Sequence, residues 1–173
     1  MTISRRDMLK ATAAAAMALP LSQCRAPSSP PKLFTPEELA LVDELSDMIT
    51  PTDAQWGGAR AAGVAAFIDA RFAEAFEKDD PERFRSGLKA IETLSQQMHG
   101  KTFMAATAEQ RLALLTQIAT AESDPKTDAE KFFKQIKGAT IGAYYKSKVG
   151  IHDDQRYKGN VVQPGEYAGL DAT

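Results

Sequence analysis

The chain has 173 residues, enough for one domain, and its 43% hydrophobic and 25% charged residues are typical of a globular protein. Its formal net charge of −2 lacks the basic excess of proteins that bind nucleic acid. One cysteine and two histidines exclude an internal disulfide, a cysteine-ligated iron–sulfur cluster held by this chain alone, a C-x-x-C-H haem attachment and a histidine-only zinc site.

Residues 1–24 are predicted to be a targeting segment and are excluded from the fold. The motif Ser4–Lys10, with its paired Arg5 and Arg6, resembles the twin-arginine signal that directs export of folded proteins. An alanine-rich run, Ala11–Leu21, follows and is too short to span a bilayer, which needs about 20 apolar residues. We therefore expect a periplasmic protein exported by the twin-arginine route, with Arg5 and Arg6 as the targeting residues.

Residues 21–24, Leu-Ser-Gln-Cys, resemble a lipoprotein cleavage box, although Gln23 stands where a small residue is usual. Cys24 is either the lipidated first residue of the mature protein, which would anchor it to the membrane, or an unmodified thiol. Residues 25–33 are rich in proline and serine, and this composition predicts an extended tether.

Capping signals divide residues 34–150 into about five predicted helices. An N-cap threonine or aspartate followed by proline or acidic residues satisfies free N–H groups at a helix start. Such starts occur at residues 35–38, 80–83, 107–110 and 127–130. The second helix is expected to begin at about Ala59 or Gly63 and to end at Phe76. Breaks are expected at Thr50-Pro51, Gly100, Asp124-Pro125 and after Gly150.

Each predicted helix carries an apolar stripe with helical spacing. The stripes are Val42, Leu45 and Ile49; Val64, Phe67, Ile68, Phe72 and Phe76; Phe84, Leu88, Ile91, Leu94 and Met98; Leu112, Leu115, Ile118 and Ala119, with Phe103 packed back on them; and Phe133, Ile136, Thr140, Ile141, Tyr144 and Tyr145. Gly138 and Gly142 would let another backbone approach the last helix. Residues 151–173 show no helical or strand period. The sequence therefore predicts an all-α single domain of about five helices with an irregular, extended C-terminal tail.

The first half of the chain carries a family resemblance. Residues 47–53, DMITPTD, followed by Gly58-Ala59, Ala62-Gly63-Val64 and Phe67-Ile68-Asp69, resemble the gluconate 2-dehydrogenase subunit 3 family. One departure is Thr50, inserted between Ile49 and Pro51. The family is the small subunit of membrane-associated flavin-dependent sugar dehydrogenases.

The resemblance implies a non-catalytic subunit and a set of partners. The main partner would be a large flavoprotein of the glucose–methanol–choline type, which holds FAD and oxidises a sugar, sugar acid or polyol. A multihaem cytochrome c, with haem c, would be a third subunit in some complexes. The small subunit would carry the export signal and bind the twin-arginine machinery, while the flavoprotein folds on it and crosses the membrane as its passenger.

Two alternatives remain open. One is a stand-alone exported or lipid-anchored helical binding protein. The other is an enzyme built on Asp47, Asp53 and Asp69.

Catalytic, cofactor-binding and metal-binding residues are not predicted in this chain. It lacks the Gly-x-Gly-x-x-Gly, P-loop, Gly-x-Ser-x-Gly and His-Glu-x-x-His patterns. Asp43 and Glu44 are interpreted as a solvated helix face in preference to an acid–base or cation-binding pair. Asp47, Asp53 and Asp69 are interpreted as acceptors for free backbone N–H groups.

The two histidines, His99 and His152, are expected to be ordinary exposed side chains. Trp56 lies beside Gly57-Gly58 and is either a partner anchor, because tryptophan is enriched at interface hot spots, or a plug over the corner between the first two helices. Tyr157 and Tyr167 lie in the irregular tail. We expect the corner around Trp56 and the tail from residue 151 to residue 173, with these two tyrosines, to form the contact with the partner.

Overall fold

The structure is a computed structural model that describes residues 31–53, 55–74 and 79–156. The described residues belong to one compact unit that begins at Pro31. The predicted leader with Arg5, Arg6 and Cys24, and the tail residues Tyr157 and Tyr167, lie outside the described residues, so the predictions made for them stay predictions.

The predicted all-α fold is confirmed, because the described residues form helices and no strand. The helices are α1 (Pro36–Ile49), α2 (Gly58–Ala61), α3 (Val64–Ala73), α4 (Asp79–His99), α5 (Ala108–Ala119) and α6 (Asp128–Tyr144). The predicted second helix is divided into α2 and α3, since Gly63 between them has a φ of 67°. A short π-helix, Val149–Asp154, follows α6 and lies at the start of the stretch predicted to be irregular.

Three of the four predicted capping starts are confirmed, and the fourth, at residues 80–83, lies inside α4, which begins at Asp79. Thr35, Thr107 and Thr127 each accept a hydrogen bond from the third helical N–H, and each is part of a complete capping box. Gly100 adopts the left-handed conformation, φ 66°, at the end of α4. These local signals are independent of the tertiary fold, which is why the sequence locates the helix boundaries well.

Helix α6 is the centre of the domain, because it contacts each of the other five helices. Its buried residues lie on one face, which spans about 120° of the helix at 100° per residue. Its buried residues are Ala129, Phe132, Phe133, Ile136, Thr140, Ala143 and Tyr144. The Thr140 hydroxyl lies 3.2 Å from that of Ser46 on α1, which gives two buried polar side chains a shared hydrogen bond.

Most described members of the predicted apolar stripes are at least partly buried, but four are exposed, and Phe76 lies outside the described residues. Phe67 is 45% exposed, Leu112 60%, Ile141 39% and Tyr145 44%. The first three lie about 110–130° around their helices from the centre of the buried face, at 100° per residue, and Tyr145 follows the last residue of α6. The sequence analysis included these residues in the stripes because they are apolar and lie next to the buried face. The pattern missed Leu114 and Phe132, which are 0% and 2% exposed.

The prediction that Gly138 and Gly142 admit another backbone is wrong. A Cβ built at either glycine would meet no heavy atom within 4 Å. The close approaches occur instead at Gly87, where a Cβ would lie 2.0 Å from Cδ2 of Phe132, and at Gly150, where it would lie 2.2 Å from the carbonyl oxygen of Tyr144. None of the described helices is long and apolar enough to cross a membrane.

Candidate functional site

The corner between α1 and α2 is a tightly bonded loop. The carboxylate of Asp53 accepts hydrogen bonds from the backbone N–H groups of Gln55 and Trp56, both at 2.7 Å. The backbone N–H of Asp53 in turn donates to the carbonyl of Trp56 at 3.1 Å. Asp53 therefore has the structural role that the sequence predicts, since its side chain holds the loop that presents Trp56.

A second set of contacts closes this corner. Gly58 has a φ of 61°, and a Cβ there would lie 2.5 Å from the backbone nitrogen of Thr52. The hydroxyl of Thr52 donates to the carbonyl of Gly57 at 2.9 Å. Only glycine fits the backbone at position 58, so the corner has one well-defined shape. Trp56 is half-buried in this loop.

The beginning of the tail lies against the corner. A Cβ built at Gly57 would be 3.2 Å from Cγ1 of Val149, the first residue of the π-helix. The backbone N–H of Gly150 donates to the hydroxyl of Ser147 at 3.0 Å, and a Cβ at Gly150 would lie 2.2 Å from the carbonyl oxygen of Tyr144, so the π-helix packs closely on the end of α6. The corner therefore lies beside the residues that lead into the tail predicted from residue 151. We call residues 50–53, 55–57 and 149–154 the corner–tail surface.

Tyr144 lies beneath the corner–tail surface, and carboxylates from both parts of that surface act on its hydroxyl. The side chain is 3% exposed. Burial raises the pKa of its hydroxyl, and the negative charges of Asp154, Asp53 and Asp153 and the neighbouring Tyr145 raise that pKa further. Tyr144 therefore stays protonated at neutral pH.

The acidic residues of α1 form an ion-pair network with Arg60 of α2. The guanidinium of Arg60 contacts Asp43 at 2.8 Å, Glu44 at 2.5 Å and Asp47 at 2.8 Å. Glu44 also pairs with Arg111 of α5. The interpretation as a solvated face is wrong for Glu44, whose carboxylate is 18% exposed and joins three helices through two arginines. Asp43 is 41% exposed and remains on the solvated face, where it pairs with Arg60.

The charged groups in this network shift one another's pKa values. The pKa of Asp47 is raised, first by burial and then by the neighbouring carboxylates Asp43 and Glu44, although Arg60 opposes the shift. The pKa of Arg60 is raised, chiefly by its hydrogen bond to Asp43. Asp47 is not the backbone cap that the sequence predicts, because its partner is the guanidinium.

Asp69 of α3 binds the segment that precedes α1. Its carboxylate accepts hydrogen bonds from three successive backbone N–H groups, those of Lys32 at 2.6 Å, Leu33 at 3.0 Å and Phe34 at 2.8 Å. Burial alone would raise the pKa of Asp69, but these donors outweigh it and the pKa lies below its usual value. The predicted role of Asp69 as an acceptor of free N–H groups is confirmed. Lys32 and Leu33, which belong to the segment predicted to be a tether, are therefore bound to the helical domain.

The histidines contribute no site. His152 is exposed, as predicted, but His99 is partly buried and its Nε2 has no hydrogen-bond partner among the described residues. Within residues 31–53, 55–74 and 79–156, no group of three His, Cys, Asp or Glu side chains is arranged to hold a metal ion.

Arg60 and Arg111 are the residues that the sequence pattern misses. Arg60 lies within the run Gly58–Val64 that carries the family resemblance. It follows the acidic residues of α1 closely in the sequence, so a pairing between them could have been predicted. Arg111 is separated from Glu44 by 67 residues, and no local pattern links them.

One comparison with known proteins identifies a family, and two find nothing. A search of characterised proteins and a search of solved structures each give no significant match. The model of the family described as gluconate 2-dehydrogenase subunit 3 matches residues 36–165, which covers the helical domain and the corner–tail surface. The resemblance seen in residues 47–69 is confirmed by this match, and the chain belongs to the gluconate 2-dehydrogenase subunit 3 family.

Proposed function

We propose that this chain is the non-catalytic small subunit of a periplasmic, flavin-dependent dehydrogenase complex that oxidises a sugar, sugar acid or polyol. In this proposal it assists the folding of the large flavoprotein and carries it through the twin-arginine route. The observation that carries the proposal is the family match over residues 36–165, because the family is by description a subunit of a dehydrogenase.

The environment of the carboxylates supports placing catalysis in the partner. Asp47 is paired with Arg60, and Asp53 and Asp69 are bonded to backbone N–H groups. A carboxylate that stabilises a loop or a helix junction in this way is committed to the fold. In the proposed complex the FAD of the large subunit supplies the redox chemistry, and this chain supplies binding surface.

The corner–tail surface is the proposed contact with the flavoprotein. It combines the half-buried Trp56 with the start of the tail that carries Tyr157 and Tyr167, and Tyr145 beside it is 44% exposed. Aromatic side chains on a rigid loop lose little conformational entropy on binding, so they are effective interface anchors. An interface of about 2,000 Å² is typical of a permanent complex of this kind.

Co-expression of this chain with the proposed large flavoprotein tests the contact. Trp56→Ala, and separately a chain ending at Arg156, should lower the yield of co-purified, active dehydrogenase while leaving the helix content unchanged by circular dichroism. Phe67→Ala is the matched control, because Phe67 is exposed on α3. If both test variants co-purify normally and the control does not, the partner binds elsewhere on the helical domain.

The export part of the proposal depends on Arg5 and Arg6. Replacing both with lysine should retain the chain and its flavoprotein in the cytoplasm, measured by fractionation and periplasmic dehydrogenase activity. Normal periplasmic levels of the double variant would contradict this route. Mass spectrometry of the mature N-terminus distinguishes a lipidated Cys24, which would anchor the complex to the membrane, from an unmodified chain.

A further inference from the structure

The three residues before the N-cap of α1, Lys32–Phe34, form what we call the junction segment. Asp69 binds all three of its N–H groups. Arg85 of α4 donates from Nη2 to the carbonyl of Leu33 at 2.5 Å, and the Lys32 ammonium pairs with Glu74 at 2.9 Å. Two helices that lie 35 or more residues further along the chain therefore hold this segment.

The ring of Phe34 fixes the same segment to the core. It is 4% exposed, and its centroid lies 5.5 Å from that of Phe84 in a stacked arrangement and 6.4 Å from that of Phe72. The junction segment is thus bound through its backbone and through its last side chain.

Asp69 depends on the junction segment as much as the segment depends on Asp69. Among the described residues, Asp69 is the one carboxylate that is buried, at 4% exposed. A buried carboxylate without partners is strongly disfavoured, and its three donors all come from the junction segment. Release of the segment would leave the charge unsatisfied, so this contact forms or breaks as a unit.

We propose that Asp69 is a latch that couples the N-terminal end of the chain to the folded state of the helical domain. Residues 32–34 take up their position only when α3 and α4 are packed, because Asp69 on α3 and Arg85 on α4 both bind them. The chain then enters the domain at one fixed point. Processing of an N-terminal leader that preserves the latch must cut before Lys32.

Hydrogen–deuterium exchange of the full chain at neutral pH tests the latch without any partner, so its outcome is separate from that of the proposed function. Asp69→Asn should increase the exchange rate of the N–H groups of residues 32–34 at least tenfold, while those of α6 remain protected. Tryptic cleavage of the Lys32–Leu33 bond should become faster in the same variant. Asp53→Asn is the matched control, since Asp53 also accepts backbone N–H groups but at the corner, and it should leave residues 32–34 protected.

Two results would overturn the proposal. One is unchanged protection of residues 32–34 in Asp69→Asn. The other is loss of protection that is equally large in α6, which would show a general loss of stability and not a latch. If Asp69→Asn fails to fold, Arg85→Met decides, because it removes the donor to Leu33 from a partly exposed position. A local rise in exchange at residues 32–34 supports the latch, and its absence refutes it.

Discussion

The side chain of Phe132 occupies the space in which a side chain at Gly87 would lie. Three atoms of Phe132 are within 2.8 Å of the Cβ position of Gly87, so α4 and α6 approach each other through the missing side chain. Gly87→Ala should therefore destabilise the domain by about 1–3 kcal/mol, because Phe132 must leave its position in the core. Chemical denaturation measures the loss.

Gly138→Ala on α6 is the control for this substitution. No atom lies within 4 Å of its Cβ position, and alanine is the better helix former. It should stabilise the domain by about 0.4–1 kcal/mol. A stabilising effect of Gly87→Ala would show that the two helices are further apart than the structure has them.

The bridge from Glu44 to Arg60 and Arg111 predicts unequal effects of two neutralising substitutions on α1. Glu44→Gln should cost about 1–2 kcal/mol, because the Glu44 side chain is 18% exposed and Arg111 has no other carboxylate partner among the described residues. Asp43→Asn should cost under about 1 kcal/mol, because that carboxylate is 41% exposed and pairs with Arg60 alone. Urea denaturation of both variants checks the order, and equal costs would show that Arg111 adds nothing to the network.

The depressed pKa of Asp69 predicts a loss of stability in acid. In the unfolded chain Asp69 has a pKa of about 3.9, and in the folded protein its pKa is lower. The stabilisation that the charged carboxylate gives to the folded state is therefore complete above about pH 3.9 and is lost as the pH falls through the folded pKa. Asp69→Asn should be less stable than the wild type by about 2 kcal/mol at pH 7, with the difference shrinking below about pH 4. Denaturation curves between about pH 7 and pH 2.5 measure it.

Asp47 serves as the control for the sign of this effect. Its pKa is raised, so the folded state takes up this proton before the unfolded state does. The contribution of Asp47 to the free energy of unfolding therefore increases as the pH falls towards the folded pKa, whereas that of Asp69 decreases. If the free-energy difference between wild type and Asp69→Asn were constant with pH, the hydrogen bonds would not depend on the charge of Asp69.

Gly150 controls where the tail leaves the domain. A side chain there would meet the carbonyl oxygen of Tyr144 at 2.2 Å, so Gly150→Val should displace the π-helix from the end of α6 and from the corner. We expect weaker co-purification with the flavoprotein and unchanged helix content by circular dichroism. Gly142→Ala, eight residues earlier on an open part of α6, should bind normally. Normal binding of Gly150→Val would place the contact away from the corner–tail surface.

The helices could be predicted from the sequence because their signals are local. Thr35, Thr107 and Thr127 cap their helices through residues three positions away. The buried stripes are also local, although a period of 3.6 residues does not separate a core position from its apolar neighbour, as Leu112 shows.

The site could be predicted only in part, because its partners are distant in sequence. The sequence assigns Asp53 correctly, since the backbone N–H groups that donate to its carboxylate lie within three residues. It cannot pair Glu44 with Arg111 or Asp69 with Lys32, because these contacts exist only after the helices have packed. The sequence also gives no signal for the role of Gly150. The atom that a side chain at this position would meet is the backbone carbonyl oxygen of Tyr144, and its position depends on how the chain turns after α6.

The central position of α6 sets the order of events during synthesis. This helix is the last long one in the described chain, and each earlier helix needs its surface. The core therefore cannot close until Tyr144 has left the ribosome, by which time the N-terminus has long been exposed. At about 5–20 residues per second the interval is roughly ten seconds. During this interval the predicted leader would be available to cytoplasmic factors while the helices behind it still present their apolar faces.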